Sequence, residues 1–369
     1  LCSGQSNMQW VVNNVTNAEV EKKNANYSQI RTLNIPRRME LSPKDTISTT
    51  WLVCSPETVG RFSGVAYFFA RKVYEETNIP IGIINSSWGG TIVETWTSLE
   101  AANTLPQKRL DRYNKNEKLS PPTEYFTRTN KEAKRNDYPS LVYNAMIHPL
   151  LSFAIKGVVW YQGENNVGNA EPYTDWLTCM ISDWRNRWNS ELPFYIIQLP
   201  NFDSTNKTPL WAEIRDAQRK VLTVPKTHLI VTSDLGDPHD LHPRNKQEVG
   251  MRVALQVLHH EYGRPDIVSE SPMFERMEIN GDKIIITFKN TGSGLEIRSR
   301  YGCLQGFTIA GEDKKFYWAQ GELKDNRIVI WNPKVPNPIA VRYNWENNPD
   351  GNLYNKDGLP ACLFRTDNW

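Results

Sequence analysis

A serine near the start of the chain and a histidine far along it are the residue types that a nucleophilic hydrolase requires. Ser6 lies in Gly4-Gln5-Ser6-Asn7-Met8, where small and polar neighbours would expose its hydroxyl. His242 lies in a loop-like stretch, residues 233–243, together with Asp240. Because a serine hydroxyl is a poor nucleophile without an adjacent base, the two side chains would have to meet in the fold. Taken alone, a serine on a turn is more typical of an ordinary hydrogen-bonding cap.

Two further segments have the composition of oxyanion-binding loops. The stretch 85–91 contains Gly89-Gly90, and paired glycines let backbone N–H groups approach a ligand. The stretch 160–166 contains Gln162 and Asn165, whose neutral amides could hold a developing oxyanion without adding a charge. Each segment is also typical of a tight turn whose amides bond the loop backbone.

The histidine loop also permits a metal-site interpretation. His239, Asp240 and His242 are ligand types that a metal hydrolase uses, with Asp237 beside them and His259-His260 further along. No His-Glu-x-x-His motif accompanies them. We therefore expect catalysis without a metal or cofactor, and keep a metal-dependent hydrolase as an alternative.

Strand-like and helix-like patterns alternate over residues 1–260, which predicts where these segments meet. Apolar runs predict strands, and amphipathic patterns between them predict helices; the strands are Ile81–Asn85, Ile155–Tyr161, Phe194–Leu199 and His228–Thr232. Such alternation is typical of a three-layer α/β/α domain with a mostly parallel sheet. Working residues then follow the carboxyl ends of the strands, where all four segments fall.

The pattern changes near residue 268. Strand-like alternation follows, with Pro- and Gly-rich links and no long helical period, at Lys283–Lys289, Ile328–Trp331 and Ile339–Tyr343. We therefore predict an α/β domain over 1–268 and a β-rich domain, sandwich or jelly-roll-like, over 269–369. The polar stretch 105–140 is predicted to be a surface excursion.

Composition excludes several classes of protein. The chain has 369 residues, with 43 Lys and Arg against 41 Asp and Glu, a net charge of +2. Nucleic-acid-binding proteins usually have a strong basic excess, so nucleic acid is not an expected partner. No apolar run approaches the roughly 18 residues of a membrane span. Because the chain begins at Leu1 rather than Met, we expect a fragment or processed form whose targeting segment is missing.

Taken together, the four segments resemble the SGNH hydrolase superfamily and, within it, the sialate O-acetylesterase family. The order Ser, Gly, Asn/Gln, His matches, and the resembling stretches run from the start of the chain to its end. They are Gly4–Met8, Ser87–Thr91 with Glu94-Thr95-Trp96, Tyr143–Ile147, Trp160–Asn166, Asp240–Lys246, Gly358-Leu359-Pro360 and Phe364–Asp367.

The resemblance implies roles for particular residues. Ser6 would attack an acetyl ester with His242 as its base, and the Ser6 and Gly90 N–H groups would hold the oxyanion together with a side-chain amide. The superfamily pattern Gly-x-Asn indicates Asn165 as that amide, whereas related carbohydrate esterases make Gln162 or Asn166 arguable. Of these, Gln162 is favoured.

One departure concerns the residue that orients the base. The superfamily usually has Asp three positions before the catalytic histidine, where this chain has His239. Asp240, two positions before His242, is therefore the expected orienting residue. Asp237 and a backbone carbonyl are the alternatives, and the latter would leave a Ser–His dyad.

The expected substrate is an O-acetylated sugar. Asn7, Trp88 and Glu94 follow the catalytic loops closely enough to border its pocket, and Arg61 or Arg244 could bind a carboxylate. The resemblance implies deacetylation of 9-O-acetylated sialic acid through an acetyl-Ser6 intermediate. Acetylated xylan or another polysaccharide is the alternative substrate, and a sugar-binding protein without catalysis is the alternative function. Such glycan substrates also suggest a secreted or periplasmic location.

Overall fold

The computed structural model describes residues 1–121, 137–203 and 208–369. They form two compact units: the first comprises Leu1–Ile197, Ala217–Leu229 and Arg244–Val257, and the second Gln198–Asp216, Ile230–Pro243 and Leu258–Trp369. The predicted domain boundary at residue 268 stays a prediction. Of the stretch 105–140 that we predicted to be a surface excursion, residues 122–136 lie outside the described residues. Among the described helices, none is both long and apolar enough to cross a membrane.

A seven-stranded sheet forms the framework of the N-terminal part. Its strands are β1 Cys2–Gly4, β2 Ile30–Asn34, β3 Trp51–Val53, β4 Ile81–Ser87, β5 Val158–Tyr161, β6 Phe194–Ile197 and β7 Thr227–Ile230, in the spatial order β3-β2-β4-β1-β5-β6-β7. The pairs β2/β4, β4/β1, β1/β5 and β5/β6 are parallel, whereas β2/β3 is antiparallel. Since parallel strands present their carboxyl ends at one edge, the loops after β1, β4 and β5 emerge side by side.

Helices alternate with these strands. They are α1 Ser6–Gln9, α2 Ala18–Asn24, α3 Gly64–Thr77, α4 Leu99–Ala102, α5 Gln107–Leu110, α6 Leu141–Met146, α7 Ala170–Trp188, α8 Leu210–Lys220 and α9 Lys246–Glu261. Short 3₁₀ helices cover Val12–Asn14, Val59–Arg61, Val93–Trp96, His148–Leu150, Glu164–Asn166 and Val221–Thr223. The predicted parallel-sheet α/β class is therefore confirmed.

Local sequence explains how the longer helices begin and end. The Ser63 hydroxyl accepts a hydrogen bond from the Ala66 N–H at 3.3 Å and caps the start of α3. Asn78 ends that helix in the left-handed region at φ 55°, and Asn189 ends α7 in the same way at φ 46°. In both α3 and α7 the apolar face is buried, as amphipathic spacing requires.

Antiparallel sheets make up the C-terminal part, which confirms the predicted β-rich region. Its strands are β8 Met273–Asn280, β9 Lys283–Lys289, β10 Leu295–Ile297, β11 Phe307–Ala310, β12 Phe316–Trp318, β13 Gln320–Lys324, β14 Arg327–Trp331, β15 Ala340–Tyr343, β16 Leu353–Asn355 and β17 Phe364–Arg365. They form three sheets, in the orders β10-β16, β12-β11-β15-β17 and β13-β14-β9-β8. Alternate side chains of β9 and β14 are buried, Ile284 and Ile286 facing the same core as Ile328 and Ile330.

Candidate active site

The turn that carries Ser6 is built against the neighbouring strand. Gly4 has φ +133°, and a Cβ there would lie 2.1 Å from the carbonyl oxygen of Tyr161. This close approach requires glycine, and it lets the Gln5 N–H donate to the same oxygen at 3.0 Å. Ser6 follows at once as the half-buried first residue of α1. The chain thus reverses sharply at the end of β1 and places the hydroxyl at that edge of the sheet.

The loop after β4 lies directly against this turn. The Trp88 N–H donates to the Gly4 carbonyl at 2.9 Å, and the Gly89 N–H donates to Oε1 of Gln9 at 2.8 Å. A Cβ placed on Gly89 would lie 3.2 Å from the Cβ of Ser6. Gly90 has φ +78°, and a Cβ there would meet no atom of the described residues within 4 Å. The backbone at Gly90 therefore borders open space next to the nucleophile turn.

The loop after β5 is organised by a single side-chain oxygen. Oε1 of Gln5 accepts hydrogen bonds from the N–H groups of Gly163 and Asn165, at 3.3 and 3.2 Å, and from Nε2 of Gln162 at 3.2 Å. Gln5 is buried, so these donors share one acceptor away from bulk water. The residue before Ser6 thereby fixes the loop that contains the candidate oxyanion amides.

The two predicted amides of this loop differ in their surroundings. Gln162 is fully buried, and its Nε2 also donates to the Thr91 carbonyl at 3.0 Å and to Oδ1 of Asn166 at 2.7 Å. Asn165 is exposed, and its Nδ2 donates to the Gly90 carbonyl at 2.6 Å. An amide nitrogen carries two N–H donors, so Asn165 keeps a donor in addition to this bond. The geometry therefore favours Asn165 over Gln162 as the amide beside Gly90.

The sequence predicted that Glu94 borders the substrate pocket, but the structure buries this side chain. It is 2% exposed, in the 3₁₀ helix Val93–Trp96, and Nδ2 of Asn166 donates to its Oε2 at 2.9 Å. Oδ1 of Asn166 in turn accepts from the Val93 N–H at 3.0 Å. Burial raises the pKa of the Glu94 carboxyl above its ordinary value. This carboxylate joins the loops after β4 and β5 inside the protein.

Asn7 is likewise buried rather than open to a pocket. It is fully inaccessible, its Nδ2 donates to Oε1 of Glu164 at 2.5 Å, and its Oδ1 accepts from Nζ of Lys246. Lys246 is also fully buried, with Nζ 5.6 Å from the centre of the Tyr161 ring. Burial raises the pKa of the Glu164 carboxyl, opposed by the Asn7 hydrogen bond and the positive charge of Lys246. A carboxylate and an ammonium group are thus bridged by one amide.

Three other residues predicted to bind substrate are at least partly accessible. Trp88 is half-buried, and Arg61 and Arg244 are exposed. The Arg244 carbonyl accepts from the Thr16 N–H at 3.1 Å, which fixes its backbone and leaves the assignment of the guanidinium as a prediction.

The loop that carries His242 belongs to the second unit, and two of its aspartates bond its own backbone. Oδ1 of Asp240 accepts from the backbone N–H of His242 at 2.8 Å, and Oδ1 of Asp237 accepts from that of His239 at 2.8 Å. These are Asx-type contacts, in which a side chain bonds the backbone two residues on. Asp240 and His242 are half-buried, whereas His239 is exposed. One oxygen of Asp240 thus serves the backbone of the predicted base.

The metal-site interpretation gains no support from this loop. Within the described residues, groups of three or more metal-binding side chains with ligand atoms within 4.8 Å of one another include neither His239 nor His242. A catalytic zinc ion ordinarily needs three protein ligands around one centre.

Sequence reasoning missed two organising residues, Gln5 and Lys246. Gln5 is part of the Ser6 motif, and its place directly before Ser6 was the available signal. Lys246 begins a helix with an apolar face that includes Val249, Val253 and Val257, and a lysine beside such a face was the available signal there. Its hydrogen-bond partner, Asn7, is too distant in sequence for any spacing rule to connect the two.

Comparisons with known proteins identify the family of this chain. Residues 1–259 match the family model described as "SASA: Carbohydrate esterase, sialic acid-specific acetylesterase". A sialate O-acetylesterase of Pongo abelii is 32% identical over 315 residues, covering 77% of this chain and 57% of that protein. One of Mus musculus is 28% identical over 395 residues, covering 95% of this chain and 72% of that protein. The chain thus spans little more than half the length of the Pongo abelii relative.

A solved structure is similar over the whole chain. The crystal structure of a carbohydrate acetylesterase from Xanthomonas citri superposes with a TM-score of 0.88 at 36% sequence identity. The match covers 100% of this chain and 80% of that one. The similarity therefore extends over both the α/β part and the β-rich part.

Proposed function

Since this chain belongs to the family of carbohydrate esterases described as sialic acid-specific acetylesterases, we propose that it is a serine esterase that removes O-acetyl groups from sugars. One observation carries the proposal. Ser6 lies on a sharp turn after β1, with Gly89 against its side chain and Gly90 bordering open space. A nucleophile beside backbone and amide donors is the arrangement that acyl transfer requires.

The first half of the reaction makes an acetyl-enzyme. The Ser6 Oγ attacks the acetyl carbonyl carbon while the imidazole of His242 takes its proton, so the C–O bond to Ser6 forms and an oxyanion develops. The tetrahedral intermediate collapses with cleavage of the bond to the sugar oxygen. His242 then returns its proton to that oxygen, and the sugar leaves with a free hydroxyl.

The second half releases acetate. A water molecule attacks the acetyl-Ser6 carbonyl with His242 again acting as the base, and collapse returns the proton to Ser6 Oγ. In this proposal Asp240 supports His242 through the loop backbone, where one carboxylate oxygen accepts the His242 N–H. No cofactor takes part in either half of the reaction.

Oxyanion stabilisation is assigned to three donors. They are the Ser6 N–H, the Gly90 N–H and Nδ2 of Asn165, whose amide bonds the Gly90 carbonyl and is exposed. Gln162 is left out because its Nε2 already serves three buried acceptors. Removing one such donor typically raises the activation barrier by roughly 3–4 kcal/mol, so the alignment of these donors strongly affects kcat.

The proposed substrate is 9-O-acetylated sialic acid. The family description and the relatives' names point to this sugar, and the exposed Arg61 and Arg244 offer cations for its carboxylate. Because both candidate substrate classes, sialic acids and plant polysaccharides, are glycans found outside the cytoplasm, we infer a secreted or periplasmic location. Fractionation of the producing cells tests that inference directly.

The test measures acetate released from 9-O-acetylated sialic acid and from acetylated xylan side by side. Ser6→Ala and His242→Ala should each lower kcat by about 10⁴-fold or more. Ser182→Ala, which removes an exposed hydroxyl on α7, is the matched control and should retain full activity. Retention of activity by Ser6→Ala would sink the proposal, whereas release mainly from xylan would keep the chemistry and change the sugar.

Two further readouts separate the alternative functions. A metal-dependent hydrolase would lose activity after prolonged dialysis against a chelator, and we expect full retention. A sugar-binding protein without catalysis would not react covalently, whereas we expect a fluorophosphonate to acylate Ser6 in the wild type and not in Ser6→Ala.

A further inference from the structure

Three side chains, two of them fully buried and one half-buried, connect segments that are far apart in sequence. We call Lys246, Asn7 and Glu164 the Lys–Asn–Glu bridge. Nζ of Lys246 donates to Oδ1 of Asn7, and Nδ2 of Asn7 donates to Oε1 of Glu164 at 2.5 Å. Asn7 and Lys246 are both 0% exposed. The carbonyl oxygen of the Asn7 amide is therefore bonded to the ammonium group of Lys246, and its nitrogen is bonded to the carboxylate of Glu164.

The charges of the bridge compensate each other. Moving an isolated carboxylate or ammonium group out of water is strongly unfavourable, and an opposite charge with good hydrogen bonds offsets much of that penalty. Glu164 shows both effects, since burial raises its pKa while Asn7 and Lys246 act in the opposite direction. Removal of one charge would leave the other buried without compensation, which makes each partner dependent on the other.

Each member of the bridge adjoins a catalytic segment. Asn7 is the residue after Ser6, and Glu164 is the residue before Asn165. Lys246 is the first residue of α9, four positions after His242 in sequence. The bridge therefore sets how the nucleophile turn and the oxyanion loop lie with respect to one another, and anchors the start of the helix that follows the histidine loop.

We propose that Lys246, Asn7 and Glu164 are positioning residues for the ester hydrolysis, which fix the Ser6 turn against the Asn165 loop through one buried charge-bridged amide. This rests on the proposed esterase function. It assigns Asn7 a role other than substrate contact, since its side chain is inaccessible and both of its ends are engaged. Reacting groups displaced by about 1 Å can lose roughly 100-fold in rate, so such a bridge would act on kcat rather than on substrate affinity.

The experiment compares Glu164→Gln, Lys246→Met and the double variant with the wild type at 20 °C, where folding is verified by circular dichroism. Each single variant should lower kcat, and the rate at which a fluorophosphonate acylates Ser6, by about 100-fold with KM little changed. The double variant removes both charges and keeps an oxygen acceptor for Asn7. It should therefore regain at least about tenfold in both rates over either single variant.

A control variant separates positioning from mere stability. Arg71 and Glu21 form a half-buried ion pair at 2.5 Å that joins α2 to α3. Glu21→Gln should lower the unfolding temperature and leave kcat and the acylation rate at wild-type values. If the bridge variants behave like Glu21→Gln, with altered stability and unchanged rates, the positioning role is overturned.

Two remaining outcomes also decide the matter. If a single variant does not fold, the double variant is compared with the wild type: rates about tenfold lower support the positioning role, and equal rates refute it. Activity that survives Ser6→Ala would overturn the esterase proposal itself. Loss of activity in Ser6→Ala together with wild-type rates in all bridge variants would overturn only the bridge.

Discussion

The oxyanion loop and the histidine loop are held in different ways. The loop after β5 is tied from within the protein: the buried Oε1 of Gln5 accepts three of its donors, and Gln162 is completely inaccessible. The histidine loop has local contacts, from Asp237 to His239 and from Asp240 to His242, and the Gly236 N–H also donates to Oδ1 of Asn201 at 2.7 Å. Buried hydrogen bonds hold the first loop, whereas partly buried and exposed ones hold the second.

This difference matches the role that the proposed mechanism gives to each loop. Donors that stabilise an oxyanion are effective when they need no reorganisation as charge develops, which favours a buried and over-determined loop. A general base must take up a proton and release it twice per turnover, to two different oxygens. We therefore expect substitutions in the oxyanion loop to separate cleanly into catalytic and structural effects, and substitutions around the base to act through loop geometry.

The sharpest test of the oxyanion loop is the pair Asn165→Ala and Gln162→Ala. Asn165→Ala should lower kcat by about 10²–10³-fold with little change in unfolding temperature, because an exposed donor is lost. Gln162→Ala should instead lower the free energy of unfolding by about 1–3 kcal/mol, because buried partners lose their hydrogen bonds. Acetate release and thermal unfolding measure the two effects.

Asn24→Ala, at an exposed asparagine of α2, is the control for Asn165→Ala and should match the wild type in both measurements. If Gln162→Ala lost the larger share of kcat while remaining fully stable, Gln162 would be the oxyanion amide and Asn165 a loop residue.

The test of the histidine loop compares Asp240→Asn with Asp240→Ala. Asparagine keeps an oxygen acceptor for the His242 N–H, so kcat should stay within about tenfold of wild type, whereas alanine should lose more. An amide in place of a carboxylate that bonds the imidazole itself would lower kcat by about 10⁴-fold. The steady-state rates thus distinguish backbone support from a complete triad.

A matched control exists in another turn of the molecule. Oδ1 of Asp313 accepts the N–H of Lys315 at 3.1 Å, the same contact two residues on. Asp313→Ala removes it far along the sequence from the histidine loop and should not change kcat.

The smallest expected effect concerns the buried Glu94. Burial raises its folded-state pKa above the ordinary value of 4.5, so the folded protein binds the proton more tightly than the unfolded chain. This favourable contribution is complete below pH 4.5 and is lost as pH rises through the raised pKa. Glu94→Gln lacks the ionisation, and its unfolding temperature should rise relative to wild type over that range by about 2–4 °C.

Unfolding temperatures from pH 4 to pH 7 measure this effect, with Glu19→Gln on the exposed side of α2 as the control. The control curve should run parallel to that of the wild type. A Glu94→Gln curve that also runs parallel would mean that the carboxyl titrates in the folded protein as it does in the unfolded chain.

Many of the strands and helices could be predicted from the sequence, because the patterns that indicate them are local. Apolar runs predicted a strand over Ile81–Asn85, and the structure has one over Ile81–Ser87. Amphipathic patterns between the strands predicted helices, and the helix Gly64–Thr77 lies in such a stretch. The rule that loops follow the carboxyl ends of parallel strands then grouped the segments of Ser6, Gly90 and Asn165 correctly at one sheet edge.

The side-chain contacts could not be predicted from the sequence, because they depend on residues that only the fold brings together. Proximity to the catalytic loops suggested that Glu94 and Asn7 would face a substrate, but a short 3₁₀ helix and a single helical turn direct both inward. The preference for Gln162 over Asn165 came from family patterns and carried no information about which amide was already occupied. Hydrogen-bond saturation is a property of the assembled loop.

The central position of the three-residue strand β1 has a consequence for the order in which the fold forms. Cys2–Gly4 pairs on one side with Asn85–Ser87 and on the other with Val159–Tyr161, so its neighbours are supplied by distant parts of the chain. The long loops must close, at a cost in chain entropy, before these strand contacts can form. We therefore expect β1 to pair with its neighbours late in folding. The turn after Gly4 is bonded to the Tyr161 carbonyl through the Gln5 N–H. In the proposed mechanism, hydrolytic activity would therefore report that the centre of the sheet has formed.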